Sequence, residues 1–276
     1  MIGKPLRTLI SWLLLLPIII VILFPFAVML STALKRKDEV FTFTLTWFPK
    51  EIYFGNFAEL FLELGFGRAI FNSLYISLGA TLVSLALALP AAYALSRLPI
   101  RGKGFFTGYL LITQMISPIV LILGLFRMFA ALGLINSHNA LIIGHSAFFM
   151  AFAVWMLKSY FDTVPKDLEE AAWMDGASRL RAFGAIFLPI CIPGIAVTSI
   201  FTFVNSWNEY AMSLTMLRDA DMQTAPVQVA FLTGTLYEIE WNLIMAGTLV
   251  TTIPVAIIFS GIQGYLVRGL SVGGVK

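Results

Sequence analysis

The stretch Leu9–Leu34, LISWLLLLPIIIVILFPFAVMLSTAL, runs for 26 residues without a formal charge. Wound as an α-helix at about 1.5 Å per residue, it exceeds the roughly 30 Å of bilayer hydrocarbon, with residues to spare for tilt. Lys4 and Arg7 stand before it, and Ser31-Thr32-Ala33 loosely resembles a cleavage site, as in a secretory signal. Signal cores hold only about 7–15 apolar residues, so the stretch is expected to be retained as a spanning helix. Five more runs follow at 69–96, 105–126, 139–157, 192–217 and 243–267, and Glu209 is the only formally charged residue within all six. They lack the apolar/polar alternation of a membrane barrel. The expected fold is all-α and integral to the membrane, with six transmembrane helices in one domain over 1–276.

The composition excludes the soluble classes. Hydrophobic residues make up 59% and charged ones 12%, with a mean hydropathy of +0.90, whereas a soluble surface calls for about 25% charged residues. A net charge of +3 from 18 Lys+Arg and 15 Asp+Glu is too mild and too dispersed for nucleic acid. Cys191, the only cysteine, lies between Ile190 and Ile192 and reads as a buried thiol. Loop charges set orientation, because cytoplasmic loops are rich in Lys and Arg. With the N-terminus inside, 11 of the 18 basic residues lie inside and 7 outside, and five of those seven are Lys35, Arg36, Lys37, Lys50 and Arg68 of the first outer loop. Both termini are therefore expected in the cytoplasm. Lys35-Arg36-Lys37 breaks the rule locally, and Asp38 and Glu39 only partly compensate. Later in that loop, Phe54, Phe57, Leu60, Phe61 and Leu64 recur at helical spacing, which predicts an amphipathic interfacial helix, either a packing lid or a dock for an external partner.

Between the fourth and fifth runs, 158–186 forms a charged loop. Pro165 suits a first helical turn, Asp167, Glu169 and Glu170 suit the positive end of the helix dipole, and Gly176 suits a terminator. A short helix from about Pro165 to Asp175 is expected. Glu170-Ala171-Ala172-Trp173-Met174-Asp175-Gly176-Ala177 followed by Ile186-Phe187-Leu188-Pro189 resembles the EAA loop of permeases of binding-protein-dependent ABC importers. Asn72-Ser73-Leu74, Ala91 to Arg97, Trp207-Asn208-Glu209 and Val267-Arg268-Gly269-Leu270 extend the resemblance to the maltose-type sugar permeases, on the side of the MalG-like partner.

The resemblance implies a permease half-pore that imports a sugar or sugar-like solute across a bacterial-type inner membrane by alternating access. The EAA helix would be a coupling helix docking on a cytoplasmic ATPase through Glu170, Ala171, Ala172, Asp175, Gly176 and Ala177. Partners would be a second, MalF-like permease, two copies of the ATPase and an extracytoplasmic solute-binding protein, besides membrane lipid. The chain itself contains no G-x-x-x-x-G-K-[ST] phosphate-binding loop, so it is expected to be non-catalytic, with no cofactor of its own; ATP and Mg would bind the partner ATPase.

Glu209 with Asn205, Trp207 and Asn208 forms a polar and aromatic cluster inside a spanning run, where an acid is expensive and usually faces a bundle interior or wet cavity. A Trp among amide and carboxylate groups suits a sugar, through ring-face contact and hydroxyl hydrogen bonds. The alternatives are a cavity or gate lining and glue between helices. Gln114, before Pro118, is a further cavity candidate, and Pro118 is expected to kink the third run. His138 and His145 read as helix-end polar residues rather than a metal site. The rival function is an ion- or proton-coupled secondary transporter with Glu209 as its proton site.

Overall fold

The computed structural model describes residues 4–42, 46–234 and 239–273, with side chains described from Trp12 to Gly264 within them. The side chains of Lys4, Arg7 and Val267 to Leu270, and all of Lys276, lie outside the described residues. Among the described residues every element is helical. In chain order they are α1 (Lys4–Ala33), α2 (Lys37–Val40), α3 (Gly55–Leu62), α4 (Phe66–Arg97), α5 (Lys103–Met115), α6 (Pro118–Ala131), α7 (His138–Phe161) and α8 (Asp167–Met174). Next come α9 (Arg179–Ala182), a π turn (Phe183–Phe187), α10 (Leu188–Ile190), α11 (Ile192–Trp207), α12 (Ala211–Met216), α13 (Ala225–Phe231) and α14 (Trp241–Gly273).

Four helices, α1, α4, α7 and α14, are long and apolar enough to cross a membrane, and two bent pairs bring the total to six if each pair is one span. The third apolar run is not one straight helix: α5 and α6 meet at 91°. Ser117 precedes Pro118 and is driven into extended backbone by the proline ring, so Pro118 opens a new helix at its first turn. The second pair, 179–190 with α11, bends by 75° at Cys191, between Pro189 and Pro193. The fifth run also divides, since α11 ends at Trp207 and α12 begins at Ala211.

The chain forms two compact units. The first combines residues 1–68 with 228–253. Its polar centre is the buried Asn56 of α3, whose Nδ2 donates to the carbonyls of Ala33 and Lys35, both at 2.8 Å, while its Oδ1 accepts from Asn242 Nδ2 at 2.8 Å. Leu60 and Phe66 pack fully buried in this unit, whereas the apolar window of α1 from Trp12 is almost wholly exposed, as a lipid-facing or partner-facing helix must be. The Lys35-Arg36-Lys37 cluster finds its explanation here. Lys35 is buried and donates to the Thr46 carbonyl, Arg36 lies 3.6 Å from Glu51 and over the Tyr53 ring, and Lys37 pairs with Glu240 at 2.6 Å. All three charges are engaged locally, so they act as packing elements of this unit rather than as a free basic patch.

The second unit comprises 69–227 and 254–276. Around α7 two apolar cores form: Ala88, Ala92, Ala153, Leu157, Phe161, Phe187 and Cys191 near α8, and Ile76, Ile122, Phe129, Leu141, Met212 and Met216 at the opposite end. Small residues allow close approach, as expected where lipid supplies no hydrophobic drive between helices. Gly194 of α11 faces the Tyr160 ring, and Gly144 of α7 faces Met212. Buried Ser77, Thr81, Thr198 and Thr202 return their hydroxyls to carbonyls one turn back, which satisfies them without water. Asn72 and Ser73 anchor the segment after α12: Asn72 Nδ2 donates to the carbonyls of Asp221 and Gln223, and Ser73 Oγ accepts from Ala225 N at 2.8 Å.

Candidate functional site

The expected loop helix is present as α8. Asp167, Glu169 and Glu170 occupy its first turn, complementing its positive end. Its other end is a Schellman motif: Ala177 N donates to the Ala172 carbonyl at 2.9 Å and Gly176 N to the Trp173 carbonyl at 3.0 Å. Gly176 sits at φ +86°, a left-handed conformation that costs residues with a Cβ. The Gly that the sequence places there is thus the physical terminator of α8.

α8 has two faces of different character. Glu170, Ala171, Trp173, Met174, Asp175 and Gly176 are exposed, Ala177 is half-buried, and Ala172 is buried. Met174 is 89% exposed and Leu180, just beyond, 80% exposed. Arg179 stacks its guanidinium over the Trp173 ring at 5.1 Å. An apolar rim with carboxylates beside it is a surface suited to a protein partner.

The inward face holds what the sequence did not reveal. Glu169, read there only as a dipole complement, is 2% exposed. Its Oε2 lies 2.7 Å from Arg97 Nε and its Oε1 accepts from Tyr93 Oη at 2.6 Å. Arg97 also donates from Nη2 to the Val164 carbonyl at 2.7 Å and lies over the Phe187 ring at 4.9 Å. Tyr93 and Arg97 both come from the Ala91–Arg97 stretch at the end of α4. Nearby, Asp162 accepts from Ser96 Oγ at 2.6 Å and Lys158 Nζ at 2.7 Å. Burial alone would raise the Asp162 pKa, but the hydrogen bonds from Lys158 and Ser96, with the charges of Lys158 and Arg97, hold it below the usual carboxylate value.

The cluster at the end of α11 is not one site. Asn205 is exposed and donates to the Phe201 carbonyl one turn back, and Asn208 is exposed. Trp207 is 2% exposed and stacked on Phe203, with centroids 5.7 Å apart, so its ring packs the unit's core and presents no face to a solute in this conformation. Gln114 is exposed on α5. Glu209 occupies the break between α11 and α12. Its carboxylate accepts from Met212 N at 2.7 Å, Ser213 N at 3.1 Å and Ser213 Oγ at 3.2 Å, which caps α12. His145 Nε2 lies 3.2 Å from the same carboxylate, and its Nδ1 lies 2.8 Å from Ser206 Oγ. His145 is therefore no helix-end residue but a fully buried one within α7. His138, in contrast, does lie at the start of α7, bonded to the Met222 carbonyl at 2.8 Å.

Residues 84–272 match the family described as binding-protein-dependent transport system inner membrane component. The chain is 32% identical over 274 residues to the sulfoquinovosyl glycerol transport system permease protein SmoH of Agrobacterium fabrum, covering 99% of this chain and 94% of that protein. It is likewise 32% identical over 259 residues to the trehalose/maltose transport system permease protein MalG of Thermococcus litoralis, covering 93% and 92%. The fold is similar to a chain in the crystal structure of a bacterial ABC transporter involved in the import of the acidic polysaccharide alginate, with a TM-score of 0.76 and 24% identity over 96% of this chain and 99% of that one. With the family match spanning well over half its residues and these relatives aligned almost end to end, the chain belongs to the inner membrane components of binding-protein-dependent transport systems.

Proposed function

We propose that this chain is one half of the translocation pore of an ATP-driven importer for a sugar or sugar-like solute. The observation that carries this reading is α8: a capped surface helix that exposes Glu170, Trp173 and Met174 and is buried through Ala172 and Glu169. That is the form a contact helix needs if it is to pass a partner's displacement to the spans, because a solvated connector would absorb the displacement instead. Relatives named for sulfoquinovosyl glycerol, trehalose/maltose and arabinooligosaccharide transport support a carbohydrate-like solute.

On this reading a second, non-identical permease completes the pore. Two cytoplasmic ATPase subunits bind ATP and Mg and close on the coupling helices. An extracytoplasmic binding protein delivers the solute; a bacterial alginate ABC transporter of similar fold has been crystallised in complex with an alginate pentasaccharide-bound periplasmic protein. Alternating access follows when ATP-driven closure shifts the population of pore conformations. Glu170, Ala171, Asp175, Gly176 and Ala177 shape the ATPase contact, with Glu170 meeting a basic group, whereas Ala172, expected in the same set, is buried on the inward face of α8.

The test is reconstitution of the four-subunit complex in proteoliposomes with its binding protein and a panel of sugars and polyols. ATP-dependent uptake with solute-stimulated hydrolysis is expected. Glu170→Lys is expected to lower both and to release the ATPase subunits, since a like-charge contact in an interface costs several kcal/mol. Uptake that follows a proton gradient without ATP and vanishes in Glu209→Gln would overturn the importer reading.

A further inference from the structure

We propose that Arg97 is a positioning residue of the transport cycle: it clamps α8 to the end of α4, so that α4 moves with the coupling helix as one body. The proposal rests on the coupling reading of α8.

Along the chain, α8 is poorly placed to push anything. It joins α7 through Asp162 to Lys166, and it joins α11 only through α9, a π turn and the 75° bend at Cys191. The non-helical link at 162–166 and the bend at Cys191 are places where displacement is absorbed by backbone torsion. Its firmest attachment is instead lateral. One guanidinium, in the last turn of α4, meets three separate parts of the loop: Val164 before α8, Glu169 within it and Phe187 after it. Tyr93, one turn earlier on α4, holds the second carboxylate oxygen. The side chains of Arg97 and Glu169 are 6% and 3% exposed.

The chemistry fits orientation better than stability. A buried ion pair contributes little net stability against an apolar pair of the same volume, although removing one partner alone is costly. What a planar guanidinium adds is direction. Its nitrogens are fixed relative to one another, and its face is free to stack, which a lysine ammonium cannot reproduce. Arg97 holds Glu169 by charge, as an ion pair at 2.7 Å in which Nε makes no hydrogen bond, while Nη2 donates to the Val164 carbonyl and the guanidinium face lies on the Phe187 ring. A shift of α8 relative to α4 breaks the Glu169 contact, while the Val164 and Phe187 contacts hold the segments on either side of α8 to the same side chain. Two packed arrangements are then possible, joined or parted, with no continuous slide between them.

The experiment uses the complete reconstituted complex and reads solute molecules imported per ATP hydrolysed. Arg97→Met with Glu169→Met removes both charges together and keeps the volume. The expected result is an assembled complex in which hydrolysis continues while uptake per ATP falls by on the order of tenfold, the size of a typical coupling energy. Spin labels at Leu98→Cys and Asp167→Cys are expected to show one narrow distance through the ATP cycle in the parent, and a broadened or ATP-dependent one in the double variant. Arg97→Lys guards against a folding failure: it keeps the charge but cannot hold all three partners, and a severalfold drop in the same ratio is expected. An unchanged ratio in either assembled variant overturns the clamp. A parent complex without ATP-dependent uptake overturns the importer reading and the clamp with it, which keeps the two failures distinct.

Discussion

At Glu209 four protein groups converge on one carboxylate: two backbone amides, a serine hydroxyl and a histidine ring. A proton site needs a carboxyl free to exchange with water, and this one is spent on holding α12 and α7 together. Glu209→Gln leaves a single acceptor oxygen and adds two donors where donors already point inward. We expect it to lower the stability of the detergent-solubilised protein by about 1–3 kcal/mol, the cost of an unsatisfied buried polar group. His145→Gln should cost a similar amount, and the double variant less than the sum, as for residues in one network. Equal unfolding midpoints for Glu209→Gln and the parent would refute this. Glu209 was legible in the sequence because a lone acid in an apolar run is conspicuous. His145 was not, since 64 positions separate it from Glu209 and only the packing of α7 against α11 and α12 joins them. Arg97 and Glu169 escaped notice for the same reason, each having a plausible solvated reading on its own.

Helices show a similar division. The six apolar runs follow from composition, and the cap of α8 from Gly176, because these depend on neighbours in sequence. The 91° and 75° bends do not, since a proline permits a break while tertiary packing sets its angle. Packing between α7 and α11 leads to a direct test. A Cβ at Gly194 would fall inside the van der Waals envelope of the Tyr160 ring, close to its attachment carbon, so the ring cannot evade it by a small rotation. Gly194→Ala should destabilise by about 1–3 kcal/mol, the usual cost of overpacking, seen as a lower thermal midpoint; Gly104→Ala, with open space around it, should not. The α4–α7 junction offers a pH test. Asp162 titrates below its ordinary value, so its contribution is complete above the unfolded carboxylate pKa of about 3.9 and is lost as the pH falls through the lower folded value. The difference in midpoint between the parent and Asp162→Asn should be constant above about pH 4 and close below it. A difference that instead grew on acidification would contradict the assigned direction.

For the whole molecule, the basic residues of the loops predict an orientation with the N-terminus inside, and labelling checks it. Phe48 is 83% exposed and Arg101 is exposed, while the native Cys191 is buried and gives little background. A membrane-impermeant maleimide should reach Phe48→Cys only from outside the cell and Arg101→Cys only from the cytoplasm. Labelling of both from one face would overturn the assigned topology. The division into two units was not legible in the sequence, because the first unit joins segments from distant parts of the chain and no local pattern announces such a partnership.

That partnership has a consequence for the order of events during synthesis. Lys37 must wait for Glu240, 203 positions later, and Asn56 for Asn242, 186 positions later. At about 5–20 residues per second, roughly 10–40 s pass between the emergence of Lys37 and that of Glu240. The intervening span 69–227 is fully translated before the pair can form. The start of the last long helix, Trp241 onward, is therefore the closing piece of the first unit. A nascent chain stalled before Glu240 lacks both that carboxylate for Lys37 and the Asn242 amide for Asn56, so the first unit cannot be completed until the last long helix begins.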